Sequence, residues 1–378
     1  MIEVVPQTSL LAKQLRERIA REGPITFHEW MRAALYDVHE GYYRKPHQIW
    51  GRAGDYRTSA ERSDLFAATF ARYFAVLYRQ LGNPQSITLV EVGGGAGHFA
   101  FGVLQTLLTY FPQVFAATRY VFDEISAPAQ TAARERLLPF ADRTEFATLD
   151  DLEINPGIAF SNELLDAFPV HRVTLIGGEL CEYYVTVGID EQFSWIIGPA
   201  STQGLAEYLK QHDVRLREGQ IVEVSLEIEA WFAKVASRLR RGYLITVDYG
   251  AEAAELYSSA ECGQGTLRGF REHTFIENLL AAPGDDDLTS TINWTAVRTA
   301  GERLGLETVE FARQDKFLLA AGLLDQLTMQ SESASEAERI RLSTAAREMI
   351  LPNGMAASFQ VLVQQKVSGG VPFGATGG

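Results

Sequence analysis

At 378 residues the chain is long enough for a large core, and it reads as one enlarged catalytic domain with appended pieces rather than several equal domains. A formal charge of -14, with 48 acidic against 34 basic side chains, argues against nucleic acid or an anionic membrane surface as the main partner and permits a cationic one. Two cysteines, Cys181 and Cys262, are too few for a disulfide framework or a cysteine-based zinc site. With no signal-like N-terminus and no apolar run of membrane length, a cytoplasmic protein is expected.

In chain order, residues 1–84 read as a helical region. Ser9 to Arg21 has helical periodicity, and Thr26-Phe27-His28-Glu29 reads as a capping box at the start of a second helix. A long ordered loop, "EGYYRKPHQIWGRAGDYRTSAE", is expected before a helix from Glu61 to Leu81 that lines up Leu65, Phe66, Phe70, Tyr73, Phe74 and Leu77 for core packing. From residue 85 strands and helices alternate: strands at Ile87–Val92, Tyr120–Ile125, Glu145–Leu149 and Ile158–Ser161, with helices near Phe99–Tyr110 and Pro128–Leu138. Such alternation predicts an α/β fold with a doubly wound, mostly parallel sheet.

The pattern turns to hairpins over Val170–Ile197, with Gly177-Gly178 at one turn and an edge that either pairs in a homodimer or is protected by its own loops. It resumes with a helix at Ile228–Arg241 and a strand at Tyr243–Gly250, and a long excursion, Ala251–Thr291, follows. A helix at Thr295–Leu304, a polar solvated helix at Ser331–Arg347 and a last strand in "ASFQVLVQQK" complete the core. The core thus runs over residues 85–366, with inserts at 170–225 and 251–291, and residues 367–378 are expected to be a disordered tail.

The stretch "LVEVGGGAGHFAF" runs from a strand through Gly93, Gly95 and Gly97 into a helix, with Glu91 just upstream. The third glycine of a dinucleotide fingerprint is missing, because His98 stands in its place, and no phosphate-loop lysine follows. An acid before G-x-G-x-G suits S-adenosylmethionine, since glycines let the backbone approach the ligand and a carboxylate tolerates its positive charge. A merely tight turn is the alternative. The second strand ends in Asp123-Glu124, and an acid at that tip is placed to grip ribose hydroxyls. Asn162, Glu163 and Asp166 in "SNELLDAFPVHR" fall at a strand's carboxyl end, where they line the acceptor side of the crevice or else cap a following helix. Asp248 and Tyr249 either border the substrate channel or are structural. His98 and His171 read as ordinary packed or surface side chains, and the seven histidines show no ligand spacing, so no metal is expected.

Taken together, "ITFHEWMRAALYDVHEGYY", "GDYRTSAE", "LVEVGGGAGHFAFGVL", "SNELLDAFPVHR", "LITVDYG", "GTLRGFREH", "PGDDDLTSTINWTAV" and "SFQVLVQQK" resemble the MidA-type methyltransferases, in family order over nearly the whole chain. The mitochondrial member of that family is an arginine methyltransferase required for respiratory complex I assembly. The resemblance implies a class I methyltransferase fold with a seven-stranded sheet and S-adenosyl-L-methionine as cofactor. It puts Glu91, Gly93, Gly95 and Gly97 on the cofactor loop, Glu124 on the ribose acid, and Gly54, Asp55, Thr58 and Ser59 in a segment that closes over the cofactor. Asn162, Glu163 and Asp166 fall on the family's N-E-x-x-D motif, and His273 on another matched stretch. This chain has Gly94 and Ala96 where many relatives have proline and arginine, Ala60 where the usual motif has proline, and Thr291 at a histidine position. Three functions follow for comparison: a protein arginine methyltransferase, a small-molecule methyltransferase, and a non-catalytic assembly factor that binds the cofactor. For an arginine acceptor, Glu163 is the first choice of catalytic carboxylate and Asp166 the second.

Overall fold

The computed structural model describes residues 9–45, 64–258, 263–271, 274–332, 334–351 and 358–367. The chain divides into two compact units, each assembled from three stretches. One comprises Trp50–Leu165, Glu229–Gly250 and Ala296–Gly378, the other Met1–Ile49, Asp166–Ile228 and Ala251–Thr295. Among the described residues no helix is long and apolar enough to cross a membrane.

The first unit carries the main sheet. Its strands are β1 (Ile87–Val92), β2 (Thr118–Asp123), β3 (Thr144–Phe146), β4 (Gly157–Asn162), β5 (Gly242–Ala251), β6 (Glu307–Arg313) and β7 (Phe359–Lys366). They lie in the order β6-β7-β5-β4-β1-β2-β3, with one further short strand off this path. Pairing is parallel from β5 through β3, and β7 alone runs against its neighbours β5 and β6. This is the seven-stranded, mostly parallel class I sheet. Strands such as "ITLVEV" and "GIAFSN" are almost continuously buried because both faces of a parallel sheet are covered.

Aromatic packing fixes one of those faces. Phe70, in the helix Asp64–Gln80, meets the rings of Phe66, Phe99, Phe160 and Phe317 at 4.9–5.9 Å between centroids. Phe99, from the helix His98–Tyr110, stacks on Phe160 of β4 at 4.2 Å and 5°. Gly102 lets these two helices close up, since a Cβ there would lie 2.6 Å from the Cβ of Ala67. The described helix begins at Asp64, and the three residues before it in the expected Glu61–Leu81 span lie outside the described residues. Two boundaries differ from expectation. The polar helix read at Ser331–Arg347 is two helices, Leu323–Glu332 and Glu336–Ile350, because Ser335 and Glu338 form a capping box that starts the second. A short helix, Pro112–Ala117, was not expected and opens with proline at its first turn.

In the second unit, Ser9 caps the helix Leu10–Glu22, and Thr26 and Glu29 make the expected capping box of Phe27–Tyr36. Ile25 and Thr26 also form a two-residue strand against Val185 and Tyr184, a pairing no local pattern announces. The hairpins are present as His171–Ile176, Glu179–Val187 and Phe193–Pro199, joined in one sheet by Ile221–Val224. The excursion after residue 251 folds as the helix Ala253–Ser258 and a small sheet of Arg268–Arg271, Thr274–Phe275 and Asp287–Thr289. The helices grouped by sequence as residues 1–84 are therefore shared between the units, since Asp64–Gln80 packs in the first. Residues 46–61 of the expected loop, and the expected tail from residue 368, lie outside the described residues.

Phe70→Ala removes the ring at the centre of this cluster and is expected to destabilise the protein by about 3–5 kcal/mol. Urea unfolding checks this: the midpoint should fall with the slope unchanged.

Candidate functional site

The loop after β1 takes its shape from three left-handed glycines, Gly93, Gly95 and Gly97, at φ 72°, 56° and 77°. Side chains other than glycine adopt that region at a cost, so the sequence buys nothing here with any other residue. Gly94 is constrained by space instead. A Cβ on it would lie 2.3 Å from the Phe122 ring and 2.9 Å from the Glu91 carboxyl carbon. The Gly93 amide donates to the Asp123 carbonyl at 2.8 Å, and Arg136 Nε donates to the Ala96 carbonyl at 2.9 Å. Gly97 then opens the helix His98–Tyr110 with no side-chain cap.

Two buried acids underlie this loop. Glu124 accepts the Gly95 amide on Oε2 at 2.9 Å and the Ser126 amide on Oε1 at 2.7 Å. Burial nevertheless pushes its carboxyl up to about 6. Glu91 accepts the Tyr120 hydroxyl on Oε2 at 2.7 Å, and burial, reinforced by the negative charge of Glu124, pushes it up to about 8. A positive ligand group brought near would favour the ionised form and oppose that shift. His98, at the start of the helix, is held down to about 4 by burial and by Arg136, and so is neutral at pH 7.

The turn after β4 is the second part of the site. Asn162 Nδ2 donates to Glu163 Oε1 at 3.1 Å, so these two side chains are brought together. Asn162 Oδ1 is buried and makes no hydrogen bond with the described residues. Glu163 itself has φ 52°, an unusual conformation for a residue with a Cβ, and its amide donates to the Val247 carbonyl at 2.9 Å. Leu164 reaches back to the glycine loop: a Cβ on Gly93 would lie 2.8 Å from Leu164 Cδ1. Glycine loop and acid-bearing turn are thus in contact through a leucine.

Asp166 is the first residue of the second unit, where it is buried and its carbonyl accepts the Ser290 amide at 2.9 Å. The alternative in which Asn162 and Asp166 cap a helix is corrected by the fold: residues 163–170 form a turn and then lead into the strand at His171. The left-handed Glu163 diverts the chain there. Asp248 is fully buried, and its carboxylate accepts the amides of Leu165 and Tyr249, both at 2.9 Å. Gly54, Asp55, Thr58, Ser59 and His273 lie outside the described residues. Tyr120 and Leu164 escaped sequence reasoning, because a tyrosine in an apolar strand and a leucine in a turn carry no signal until the strands are aligned. Among the described residues no group of three or more side chains is placed to hold a metal ion.

Acids beneath a glycine loop, and a bonded Asn-Glu pair beside it, suit a ligand that carries positive charge and needs close backbone approach. Comparison with known proteins agrees. A family model described as S-adenosyl-L-methionine-dependent methyltransferase matches residues 69–312. The chain is 27% identical over 326 residues to the mitochondrial protein arginine methyltransferase NDUFAF7 homolog of Drosophila melanogaster, covering 78% of this chain and 70% of that protein. It is 23% identical over 397 residues to the mitochondrial protein arginine methyltransferase NDUFAF7 of Homo sapiens, covering 97% and 86%. Among solved structures, a methyl transferase candidate from Burkholderia thailandensis bound to S-adenosyl-homocysteine superposes with a TM-score of 0.85 at 28% identity, covering 96% of this chain and 93% of that one.

The raised acids make stability depend on pH. A carboxyl raised in the folded state contributes stability that is fully present below its unfolded value, near 4.5 for Glu91, and is lost as pH rises towards about 8. The melting temperature of the wild type should therefore fall between pH 5 and pH 8.5, and less so in Glu91→Gln. Parallel melting curves of the two proteins across that range check it.

Proposed function

From the premise that the chain belongs to the S-adenosyl-L-methionine-dependent methyltransferase family and is an enzyme of that class, we propose that its acceptor is an arginine side chain of a protein. The observation that carries this reading is the Glu163 carboxylate, held by Asn162 at 3.1 Å on a turn that touches the glycine loop through Leu164. The names of the curated relatives, which are protein arginine methyltransferases, support it.

When bound, the cofactor supplies a methyl group on a sulfonium, and the protein's part is to hold an acceptor nitrogen in line with it and exclude water. Gly93, Gly95 and Gly97 would let the backbone approach the cofactor, with Glu91 beneath them. Glu124 would take ribose hydroxyls with the acceptor capacity its backbone bonds leave. Gly54, Asp55, Thr58 and Ser59 are assigned to the cofactor by resemblance alone. On the acceptor side a guanidinium arrives protonated, so a carboxylate must bind it, orient one nitrogen and take up its proton. Glu163 is assigned that role, Asn162 Oδ1 accepts a second N–H, and Asp166 is the further acid of the motif. For the compartment, the cysteine usage supports a reducing one, here the cytoplasm, whereas the relatives named above are mitochondrial.

The test combines calorimetry with transfer of a tritiated methyl group into protein from cells lacking the enzyme. Glu163→Gln should lower transfer by about 100-fold or more while cofactor affinity stays within about threefold. Gly95→Val, which forces a β-branched residue to φ 56°, should abolish cofactor binding. Acid hydrolysis should release the label as methylarginine. Unchanged turnover in Glu163→Gln sinks the assignment, and label found in small molecules instead moves the acceptor to that class.

A further inference from the structure

The turn that carries Glu163 has no helix or strand of its own to hold it, yet it adopts a strained conformation. Its support comes from the end of β5. The Val247 carbonyl accepts the Glu163 amide at 2.9 Å, and the next residue, Asp248, accepts the Leu165 amide on Oδ2 at 2.9 Å. The other oxygen, Oδ1, accepts the amide of Tyr249 at 2.9 Å, which orients the carboxylate along its own strand. The Tyr249 ring meets Phe359 of β7 edge-on at 5.8 Å, so the end of β5 is anchored to the neighbouring strand. Asp248 has no solvent exposure. A fully buried carboxylate is costly unless its partners are well placed, and here backbone amides on both sides of the site supply them.

We infer that Asp248 is a positioning residue for methyl transfer: it clamps the Glu163–Leu165 turn to β5 and thereby sets where the Glu163 carboxylate stands relative to the glycine loop that Leu164 touches. This rests on the role proposed above for Glu163. It adds a third reading to the two left open by the sequence, in which Asp248 either borders the substrate channel or is structural. Asp248 has no surface open to an acceptor, so it acts through the turn rather than on the acceptor.

The experiment uses the full chain with tritiated S-adenosylmethionine and protein from cells lacking the enzyme, in a cycle of Asp248→Asn, Glu163→Gln and the double variant. Asparagine places an NH2 donor where an oxygen faces a backbone amide. Asp248→Asn should lower transfer by about 100-fold, the scale expected for misplacing a reacting group by about 1 Å, with cofactor affinity within about threefold. In the Glu163→Gln background it should cause little further loss, because two residues acting through one group are not additive. Hydrogen exchange of the Leu165 amide should accelerate at least about tenfold. If Asp248→Asn does not fold, Asp248→Glu, which keeps both acceptor oxygens but shifts them by one methylene, carries the same comparison.

Wild-type transfer in Asp248→Asn overturns the proposal. So does an equal loss with and without the Glu163 carboxylate, or a parallel loss of cofactor binding, either of which marks a general scaffold role. Should the wild type bind cofactor and transfer no methyl to protein, the arginine reading fails separately. The clamp is then judged by the Leu165 amide, and unchanged exchange there removes it.

Discussion

The register of β4 between β1 and β5 is the constraint on which the site depends. Parallel pairing sets Val92 beside Ser161 and Asn162 beside Val247, so the strands reach their carboxyl ends together. The glycine loop leaves β1 at that level and the Glu163 turn leaves β4 there. In open parallel sheets the strands' carboxyl ends are where ligands bind, because the connecting chains diverge and leave backbone groups facing a crevice. A slip of one residue would turn every β4 side chain to the opposite face, separating Phe160 from Phe99 and taking Asn162 away from Glu163's turn.

Buried acids give that edge its chemical character. Glu91, Glu124 and Asp248 are all nearly or fully inaccessible, and each is answered differently. Asp248 is matched by two backbone amides and Glu124 by the amides of Gly95 and Ser126. Glu91 has the Tyr120 hydroxyl and remains far from its ordinary titration range. The first two therefore hold backbone in place, whereas Glu91 is poised to respond to a charge brought beside it.

The motif departures acquire a physical meaning in the structure only at one position. Gly94, where many relatives carry proline, leaves room for no side chain because Phe122 and the Glu91 carboxyl fill the space. Ala96 contributes its carbonyl to Arg136. Thr291 donates its amide to the Thr266 hydroxyl, and nothing in the structure explains the absence of the family's histidine there.

The alternation of apolar strands with amphipathic helices, the glycines after β1 and the acid at the tip of β2 were legible along the chain, because each follows from local periodicity or from backbone conformations that only certain residues adopt. The Thr26 capping box was legible for the same reason, its partners being three residues apart. Long-range choices were not: the pairing of Ile25 and Thr26 with Val185 and Tyr184, the reversal of β7, and the two-unit division that threads the N-terminal helices and both inserts together. Within the site, sequence alone determined the residue types, glycines after β1 and acids at the ends of β1, β2 and β4. Tertiary structure decided that Tyr120 would serve Glu91 and that Asp248 would serve the Glu163 turn, because hydrogen bonds between residues 29 and 83 positions apart exist only once parallel strands have been laid side by side.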